Sequence, residues 1–376
     1  MRVLFVPFPT ISHGIPLLAL SSKLGRDIEW AFLLPQKFHS RWCATGVPVL
    51  MFDYQGSLDG ELSAFERYGP DVIVDDCDLT TKYACSLTRI PRVTILRTAY
   101  LKEHQCRNAV YEYHLIPDLN KVPDFIISRG FARPNHINEI FAASRYIIPG
   151  IPSIEELPVA LAEQRKYFFS GPLLVPDDTA ARLMLETSEL LLTRKKLEAF
   201  FQQHDGERIV FCTMGTVAEA EPQLRLAIKW MCEHRIPVVS TINVDELTSS
   251  GLFCFCEFAP IDFVCSKCFL MIHQCGSGTY HYPLLHSIRA ITIGSQSIER
   301  DDIALRLRDA GLTDHLFHPA DEPKFAEKLL ILVMNILGCS PSEDYAHRAQ
   351  LACDEINKTS AAFCLPDLLQ TAASER

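Results

Sequence analysis

The spacing of hydrophobic positions along the first half of the chain predicts alternating strands and helices. Short continuous apolar runs, typical of strands buried on both faces, alternate with amphipathic stretches such as PLLALSSKL. A loop, TISHG, follows the first apolar run. The predicted strands are MRVLFVPFP, IEWAFLLP, VPVLMF, PDVIVDD and PRVTIL. This alternation predicts an α/β domain built on a parallel sheet.

The second half repeats the alternation after a long helical stretch, TAARLMLETSELLLTRKKLEAFFQQ. Its predicted strands are RIVFCT, PVVSTI, LFCFCEF, CFLMIH and AITIG, separated by helices such as EPQLRLAIKWMCEH. The segment SGPLLVPDD indicates an irregular link between the halves. We therefore predict an N-terminal domain over 1–170, a linker and helix over 171–206, a second domain over 207–340, and a helical segment over 341–376 that packs across both.

The composition and net charge of the chain indicate which kinds of molecule it binds. The chain has 376 residues, 48% of them hydrophobic and 22% charged, as in ordinary globular proteins with two domains. A net charge of −10 without a block of lysine or arginine argues against nucleic acid or an acidic membrane as the main partner, and favours small molecules. The start MRVLFVPFP has no pattern of a secretory signal, and no apolar run is long enough to span a membrane. We therefore expect a cytoplasmic protein whose 14 cysteines are reduced thiols.

Candidate chemistry lies where predicted strands meet helices. In open parallel sheets, ligands bind outside the carboxyl ends of the strands. The junctions there are PTISHGIP over 9–16, CTMGT over 212–216 and QCGSGT over 274–279. A small-residue turn that opens a helix presents unpaired N–H groups to an anion. The alternative for QCGSGT is that Gly276 and Gly278 only permit a tight turn.

Four segments together match the motifs of one family. SHGIPLLALSSKL resembles GHxxPxLxLAxxL, PDVIVDD followed by ACSLTRIPRV resembles an acidic strand end, and SGPLL resembles the GPL ahead of a linker. EFAPIDFVCSKCFLMIHQCGSGT parallels F-V-P-Q, a leucine-rich spacer and H-H-G-G-x-G-T with the same spacing. These are motifs of the nucleotide-sugar-dependent glycosyltransferases of the GT-B type, which glycosylate natural products, lipids and xenobiotics. The resemblance covers nearly the whole chain and implies two tandem Rossmann-like, doubly wound domains facing a central cleft.

The resemblance also implies a reaction. His13 matches the general base, which takes a proton from a hydroxyl or amine of a small acceptor as it attacks the anomeric carbon of the sugar with inversion. Asp75 or Asp76 matches the carboxylate that orients this histidine, and we favour Asp75. Residues 100–138 fall where the family builds its acceptor pocket, and their apolar and aromatic side chains favour a hydrophobic or aromatic acceptor.

The implied donor is a nucleotide sugar such as a UDP or TDP sugar, with no metal or other cofactor required. The helix beginning near Gly278 and the CTMGT turn would stabilise the leaving diphosphate. Several positions depart from the family pattern: a histidine becomes Gln274, a glutamate becomes Tyr282, and an Asp-Gln pair becomes Glu299 and Arg300. The predicted donor residues are Thr213, Gly215, Thr216, Phe258, Gln274, Gly276, Ser277, Gly278, Thr279, Tyr282, Glu299 and Arg300.

These departures leave two functions open. One is an active enzyme with an unusual donor, in which Arg300 binds an acidic sugar. The other is a degenerate relative that binds a ligand or partner without turnover. Two metal sites are weaker alternatives. Asp76 and Asp78 could form a metal-binding D-x-D, and the cysteines of CFCEF and CSKC could form a zinc site, although small core residues explain these cysteines more simply.

Overall fold

Two compact units make up the chain. A computed structural model describes residues 1–8, 10–51, 57–76, 78–101, 124–134, 137–185, 187–215, 222–339 and 343–375. Unit 1 comprises Met1–Val175 and Ile356–Arg376, and unit 2 comprises Pro176–Glu355. The predicted link over 171–206 is thus divided at Val175, and its two helices belong to unit 2.

Unit 1 contains a six-stranded parallel sheet in the order β2-β1-β3-β4-β5-β6. The strands are β1 (Arg2–Pro7), β2 (Glu29–Phe32), β3 (Val72–Asp76), β4 (Arg92–Ile95), β5 (Arg145–Ile148) and β6 (Tyr167–Phe169). The helices are α1 (Ile11–Ser21), α2 (His39–Cys43), α3 (Leu58–Tyr68), α4 (Thr81–Thr88), α5 (Asp124–Ser128) and α6 (Val159–Ala162), with 3₁₀ turns at Gln36–Phe38, Thr98–Tyr100 and Ile137–Glu139.

Unit 2 contains a second six-stranded parallel sheet, in the order β12-β11-β10-β7-β8-β9. Its strands are β7 (Val210–Thr213), β8 (Val238–Ser240), β9 (Phe253–Phe255), β10 (Leu270–His273), β11 (Arg289–Ile293) and β12 (Asp314–Leu316). Its helices are α7 (Asp177–Met184), α8 (Thr187–Gln203), α9 (Pro222–Glu233), α10 (Ile261–Cys265), α11 (His281–Leu285), α12 (Ile298–Asp309) and α13 (Phe325–Gly338), with a 3₁₀ turn at Asp245–Leu247.

The described part of the C-terminal segment is helical. Helix α14 (Glu343–Ala362) contains the division between the units, and α15 (Leu365–Ala373) packs on β3 and β4 of unit 1. Its apolar face is buried there through Leu365, Leu368 and Leu369. The last turn is tied to the same sheet by Arg145 of β5, which donates two hydrogen bonds to the Glu375 carboxylate.

Both sheets confirm the predicted fold class, and the differences concern short strands. The predicted strand VPVLMF contributes only an isolated bridge between Val49 and Phe32, beside Pro48, which has no N–H to donate to a ladder. Strands β5, β6 and β12 were not predicted. β6 and β12 are strands of only three half-buried residues, YFF and DHL, too few to show a continuous apolar run.

One bent pair of helices in the described part of the chain has the length and composition of a membrane span. Among the described residues no single helix is long and apolar enough to cross a membrane. Helices α13 and α14 pass such a test together by length and composition only. The apolar side of α13 lies in the core of unit 2, where Leu329 and Val333 are fully buried.

Gly171, in the SGPLL segment, is required by its surroundings, and replacing it with alanine is expected to destabilise the protein. Its φ is +66°, and an added Cβ would lie 2.1 Å from the Ser360 Oγ and 3.2 Å from the Ser360 backbone nitrogen. We expect the free energy of unfolding to fall by about 2 kcal/mol or more, the sum of left-handed strain and this clash.

Gly46 of the same unit is the matched control. Its φ is +81°, but an added Cβ would meet no atom of the described residues within 4 Å. Gly46→Ala should therefore lose only the backbone part, about 1 kcal/mol. Urea unfolding of both variants checks the difference. Equal losses would show that Ser360 yields without cost.

Candidate active site

The candidate residues lie at the points where the strand order of each sheet reverses. In unit 1 the chain leaves β1 toward β2 on one side, while β3 lies on the other side of β1. In unit 2 the corresponding point lies between β7 and β10. Helices that leave neighbouring strands toward opposite faces open a crevice at the carboxyl ends there, which is where open α/β sheets bind ligands.

His13 and Asp76 meet at the reversal point of unit 1. Helix α1 begins at Ile11, so His13 lies in its first turn, although the sequence predicted a loop. The Nδ1 of His13 lies 3.1 Å from the Oδ2 of Asp76, the last residue of β3. Their side chains are 34% and 6% exposed. Because a carboxylate only accepts hydrogen bonds, this contact assigns the proton to Nδ1 and places the lone pair on Nε2, the atom that can act as a base.

Close packing fixes the turn that carries His13. The edge of the Trp42 ring lies where a Cβ of Gly14 would be, 2.3 Å from the nearest ring atom. Trp42 is itself buried against Phe32. The ring of Phe8 packs edge-on against the His13 imidazole, with centroids 5.3 Å apart. Glycine after the histidine therefore permits an aromatic residue of α2 to support this part of α1.

Asp75, the favoured partner of His13, is engaged elsewhere. Successive residues of a strand point to opposite faces, so Asp75 and Asp76 cannot both face His13. The carboxylate of Asp75 is fully buried and accepts two hydrogen bonds from Arg92, at 2.7 and 2.6 Å. Burial raises the pKa of Asp75, and the Arg92 guanidinium opposes that rise. Of the two aspartates, the one in contact with His13 is Asp76.

The D-x-D alternative is not supported, because Asp78 has a different role. Its Oδ1 accepts hydrogen bonds from the Thr80 N–H and hydroxyl and from the Thr81 N–H at the start of α4. Asp78 is thus buried and holds the turn that leads into α4, while Asp76 contacts His13. Within the part of the chain that the structure describes, no group of three or more His, Cys, Asp or Glu residues could hold a metal ion.

The QCGSGT turn follows β10 at the reversal point of unit 2. The carbonyl of Gly276 accepts hydrogen bonds from the N–H groups of Thr279 and Tyr280, which closes the turn. Among the described residues, the three consecutive N–H groups of Gly276, Ser277 and Gly278 have no hydrogen-bond partner. Three such donors on consecutive residues are a feature of anion-binding turns.

The helix after this turn is shorter and begins later than predicted. The sequence predicted a helix near Gly278, whereas α11 covers only His281–Leu285. A helix of one turn and a half aligns few peptide dipoles, so the turn's own N–H groups, and not a helix dipole, are the available donors. Neither Gly276 nor Gly278 has a positive φ, and a Cβ on Gly278 would meet nothing within 4 Å. The space in front of Gly278 is open.

The side chain of Gln274 adds a polar group beside the turn. It is half-buried, and its Oε1 is inaccessible to solvent without a hydrogen-bond partner among the described residues. The amide is therefore not used by the surrounding described chain. Its N–H₂ group can donate to an anion, as a neutral substitute for the histidine at this position in the family pattern.

The CTMGT junction follows β7, which pairs with β10 in the same sheet. Thr213 is buried, and its Oγ1 accepts hydrogen bonds from the Gly215 N–H and the Thr241 hydroxyl. Gly215 is exposed with φ +65°, a conformation that favours glycine. Thr213 thus supports the turn through its hydroxyl, while Gly215 lies at the surface. Thr216 lies outside the described residues.

The other predicted donor residues lie on different elements of the same sheet edge. Phe258, after β9, is half-buried. Tyr282 is 7% exposed, and burial, with the nearby carboxylates of Asp177 and Asp262, raises the pKa of its hydroxyl. Thr279 is buried, whereas Ser277 is partly exposed. Tyr282 therefore does not present its side chain at the surface as the family's glutamate would.

Glu299 and Arg300 lie in the first turn of α12, beyond the carboxyl end of β11. Both are half-buried, and the Nε of Arg300 is enclosed without a hydrogen-bond partner among the described residues. The loop before them is held by Asp301, whose Oδ1 accepts hydrogen bonds from the Ser295 N–H and hydroxyl. This anchor was not predicted from the sequence.

The cysteines of CFCEF and CSKC are core residues. Cys254, Cys256, Cys265 and Cys268 are all buried, and burial raises the pKa of each thiol. The Sγ of Cys265 contacts the Met271 sulfur at 3.6 Å, and the Cys256 thiol points to the Ser240 carbonyl at 3.8 Å. Thiols that resist ionisation are poor metal ligands.

Most of the predicted acceptor segment, including 102–123, lies outside the described residues.

Comparisons with known proteins agree on the architecture. No family model matches the chain. An aclacinomycin-T 2-deoxy-L-fucose transferase of Streptomyces galilaeus is 25% identical over 158 residues, which are 37% of this chain. The match spans only 33% of that relative.

Among the solved structures of similar fold, two examples match over almost the full length. The spinosyn forosaminyltransferase SpnP is 17% identical, with a TM-score of 0.71 over 99% of both chains. The glycosyltransferase UGT71G1 of Medicago truncatula, complexed with UDP-glucose, is 12% identical, with a TM-score of 0.73 over 99% of this chain and 98% of its own. With two six-stranded parallel sheets and full-length similarity to such transferases, the chain has the GT-B glycosyltransferase fold.

Proposed function

We propose that this protein is an inverting glycosyltransferase that moves a sugar from a nucleoside diphosphate donor to a hydroxyl or amine of a small, natural-product-like acceptor. The contact between His13 and Asp76 at the reversal point of unit 1 carries the proposal. The partial relative, a deoxyfucose transferase by name, and the forosaminyltransferase of similar fold support a natural-product acceptor.

His13 acts as the base in this proposal. Its Nε2 takes the proton from the acceptor hydroxyl as the oxygen forms a bond to the anomeric carbon. The bond from that carbon to the diphosphate oxygen breaks, and the diphosphate leaves with the electron pair. Asp76 keeps the proton on Nδ1 before the reaction and stabilises the imidazolium afterwards. A single displacement of this kind inverts the anomeric centre.

Unit 2 binds the donor. The N–H groups of Gly276, Ser277 and Gly278, with the Gln274 amide, are the proposed donors of hydrogen bonds to the diphosphate, whose charge grows as the bond breaks. In this proposal, the half-buried ring of Phe258 packs against the nucleotide base. The proposal includes no metal and no further cofactor.

Thermal shift with UDP, TDP and GDP and their neutral and acidic sugars tests the donor half of the proposal. A ligand that binds only the folded state raises the melting temperature, by several degrees at a concentration 100 times Kd. A shift confined to one nucleotide class supports the proposal and identifies the base. An unchanged melting temperature with every ligand would contradict it.

Gly278→Ala is expected to weaken nucleotide binding by about tenfold without loss of stability. The added Cβ meets no atom of the described chain, so any cost must come from the ligand. Gly338, at the end of α13, also has nothing within 4 Å of an added Cβ, and Gly338→Ala is the control in the same unit. Titration calorimetry of both variants measures the effect. Equal affinities in the two variants would remove the turn from the donor site.

Arg300→Gln is expected to change donor preference. We propose that Arg300 binds an acidic group of the sugar, since its guanidinium carries a permanent charge and a planar set of donors. Losing one charge-assisted hydrogen bond should reduce the preference for acidic over neutral sugars by about tenfold. Arg308 of the same helix pairs with Asp309, and Arg308→Gln is the control. An unaltered preference in Arg300→Gln excludes this role.

One observation favours a second function, a degenerate protein that binds ligand or partner without turnover. The buried Tyr282 replaces the glutamate that holds the ribose in the family pattern. Robust nucleotide binding without transfer to any of a broad set of acceptors would support this function over catalysis.

A further inference from the structure

His273 is a buried polar residue to which the proposed reaction assigns no role. It ends β10, directly before Gln274, and is 1% exposed. In the sheet it is the register partner of Thr213 on β7 and of Thr292 on β11. Both threonine hydroxyls have partners of their own, Thr241 and His315 respectively. His273 therefore lies in a buried polar row at the carboxyl edge, directly behind the donor turn.

The imidazole of His273 makes one specific hydrogen bond. Its Nδ1 accepts the backbone N–H of Cys275, two residues along the chain, at 3.0 Å. This is the bond that Asp and Asn side chains make in an Asx turn. Because Nδ1 accepts, the ring proton is on Nε2. Burial lowers the pKa of His273 to about 3, so the ring stays neutral and the acceptor is retained at physiological pH.

Cys275 has a backbone conformation that needs such support. Its φ is +58°, in the left-handed region that L residues with a side chain seldom occupy. Its side chain is buried. The unpaired N–H groups of Gly276, Ser277 and Gly278 follow at once, so the direction in which they point depends on the conformation at Cys275.

We propose that His273 is a positioning residue of the donor site, which holds Cys275 in the left-handed conformation and thereby directs the next three N–H groups toward the diphosphate. The inference rests on the proposed function for its ligand. This positioning role of His273 differs from simple packing, because it depends on one acceptor atom, Nδ1, and on the residue type at position 275.

Three substitutions separate the acceptor from ring volume and polarity. His273→Asn keeps an acceptor that can bond the N–H two residues on. His273→Phe keeps a ring without the acceptor. His273→Gln keeps a polar side chain, but its amide oxygen lies one methylene further from the backbone and does not fit the hydrogen bond of an Asx turn. Calorimetric titration with the nucleoside diphosphate that gives the largest thermal shift should show about tenfold weaker binding for the Phe and Gln variants, and a loss within about threefold for Asn. Equal losses for Asn and Phe would overturn the proposal.

The background Cys275→Gly supplies a second test, because glycine adopts positive φ without strain. In the Cys275→Gly protein, His273→Phe or His273→Gln should weaken nucleotide binding by no more than about threefold. The effects of the substitutions at positions 273 and 275 on affinity would then be non-additive. The same loss in both backgrounds would contradict a role through Cys275.

Melting temperatures distinguish failure of this inference from failure of the proposed function. If the wild-type protein binds no nucleotide, the proposed donor site is wrong. In that case the melting temperature alone tests whether His273 supports the turn at Cys275. His273→Gln should lower the melting temperature in the Cys275 protein but much less with glycine there, and equal losses would overturn the inference.

Discussion

Replacing His13 with alanine is expected to lower the rate of sugar transfer by about 10³-fold, within the range of 10²–10⁴ that a positioned base contributes. The side chain is one-third exposed, and its loss removes the hydrogen bond to Asp76. The fold and nucleotide binding should therefore persist. The measurement is kcat for transfer from the identified nucleotide sugar, with circular dichroism and nucleotide affinity as checks on the fold.

Asp76→Asn provides the matched variant for this prediction. An amide can donate to Nδ1 and so favour the tautomer with its proton on Nε2, which cannot act as a base. We expect about a 10²-fold loss in kcat with KM nearly unchanged, since the residue does not contact the substrate in this mechanism. Full transfer activity in His13→Ala would reject the proposed base and leave the fold without an assigned catalytic group in unit 1.

Asp75→Asn, one residue away, is expected to affect stability instead. It leaves the Arg92 guanidinium buried without its counter-ion, and breaking a buried ion pair by removing one partner costs about 3–5 kcal/mol. Arg92 also donates to the carbonyls of Ile140 and Ala142, so its displacement would disturb the link between β4 and the segment before β5. Urea unfolding followed by tryptophan fluorescence measures the loss, since Trp30 and Trp42 both lie in unit 1.

The double variant Asp75→Leu with Arg92→Met tests whether the cost arises from the unpaired charge. Replacing both partners removes that charge, so the double variant should be more stable than Asp75→Asn alone. Asp76→Asn should change the free energy of unfolding by less than about 1 kcal/mol, because its partner His13 is one-third exposed and an asparagine can still bond its imidazole. If Asp75→Asn proved as stable as the wild type and impaired transfer, the roles of the two aspartates would have to be exchanged.

The fold was largely predictable because its strands are encoded locally. Runs such as VIVDD and FLMIH are apolar on both faces, the pattern of central strands in a parallel sheet, and these strands were predicted at nearly their observed positions. β6 and β12 were not predicted, because each covers only three half-buried residues, too few to show a hydrophobic pattern.

The candidate site was predictable as a set of junctions, but not as a set of contacts. Motif spacing alone identified His13, the acidic end of β3 and the QCGSGT turn. It could not choose between Asp75 and Asp76, because adjacent residues differ only in the face of the strand they occupy, and that face is fixed by the partners Arg92 and His13. His273 was given no role, although it matches the first histidine of H-H-G-G-x-G-T, because motif spacing does not show that its Nδ1 accepts the Cys275 N–H.

Periodicity and motif spacing are properties of neighbouring residues, so the sequence was sufficient to predict the two α/β halves and the three strand-to-helix junctions. The folded chain was needed to show that Asp76 is the carboxylate that meets His13, that Asp78 holds the turn before α4, and that three N–H groups of the donor turn have no partner among the described residues. The first of these facts depends on strand register, which pairs residues far apart in the chain, and the other two depend on local backbone conformation, which a pattern of residue types does not specify.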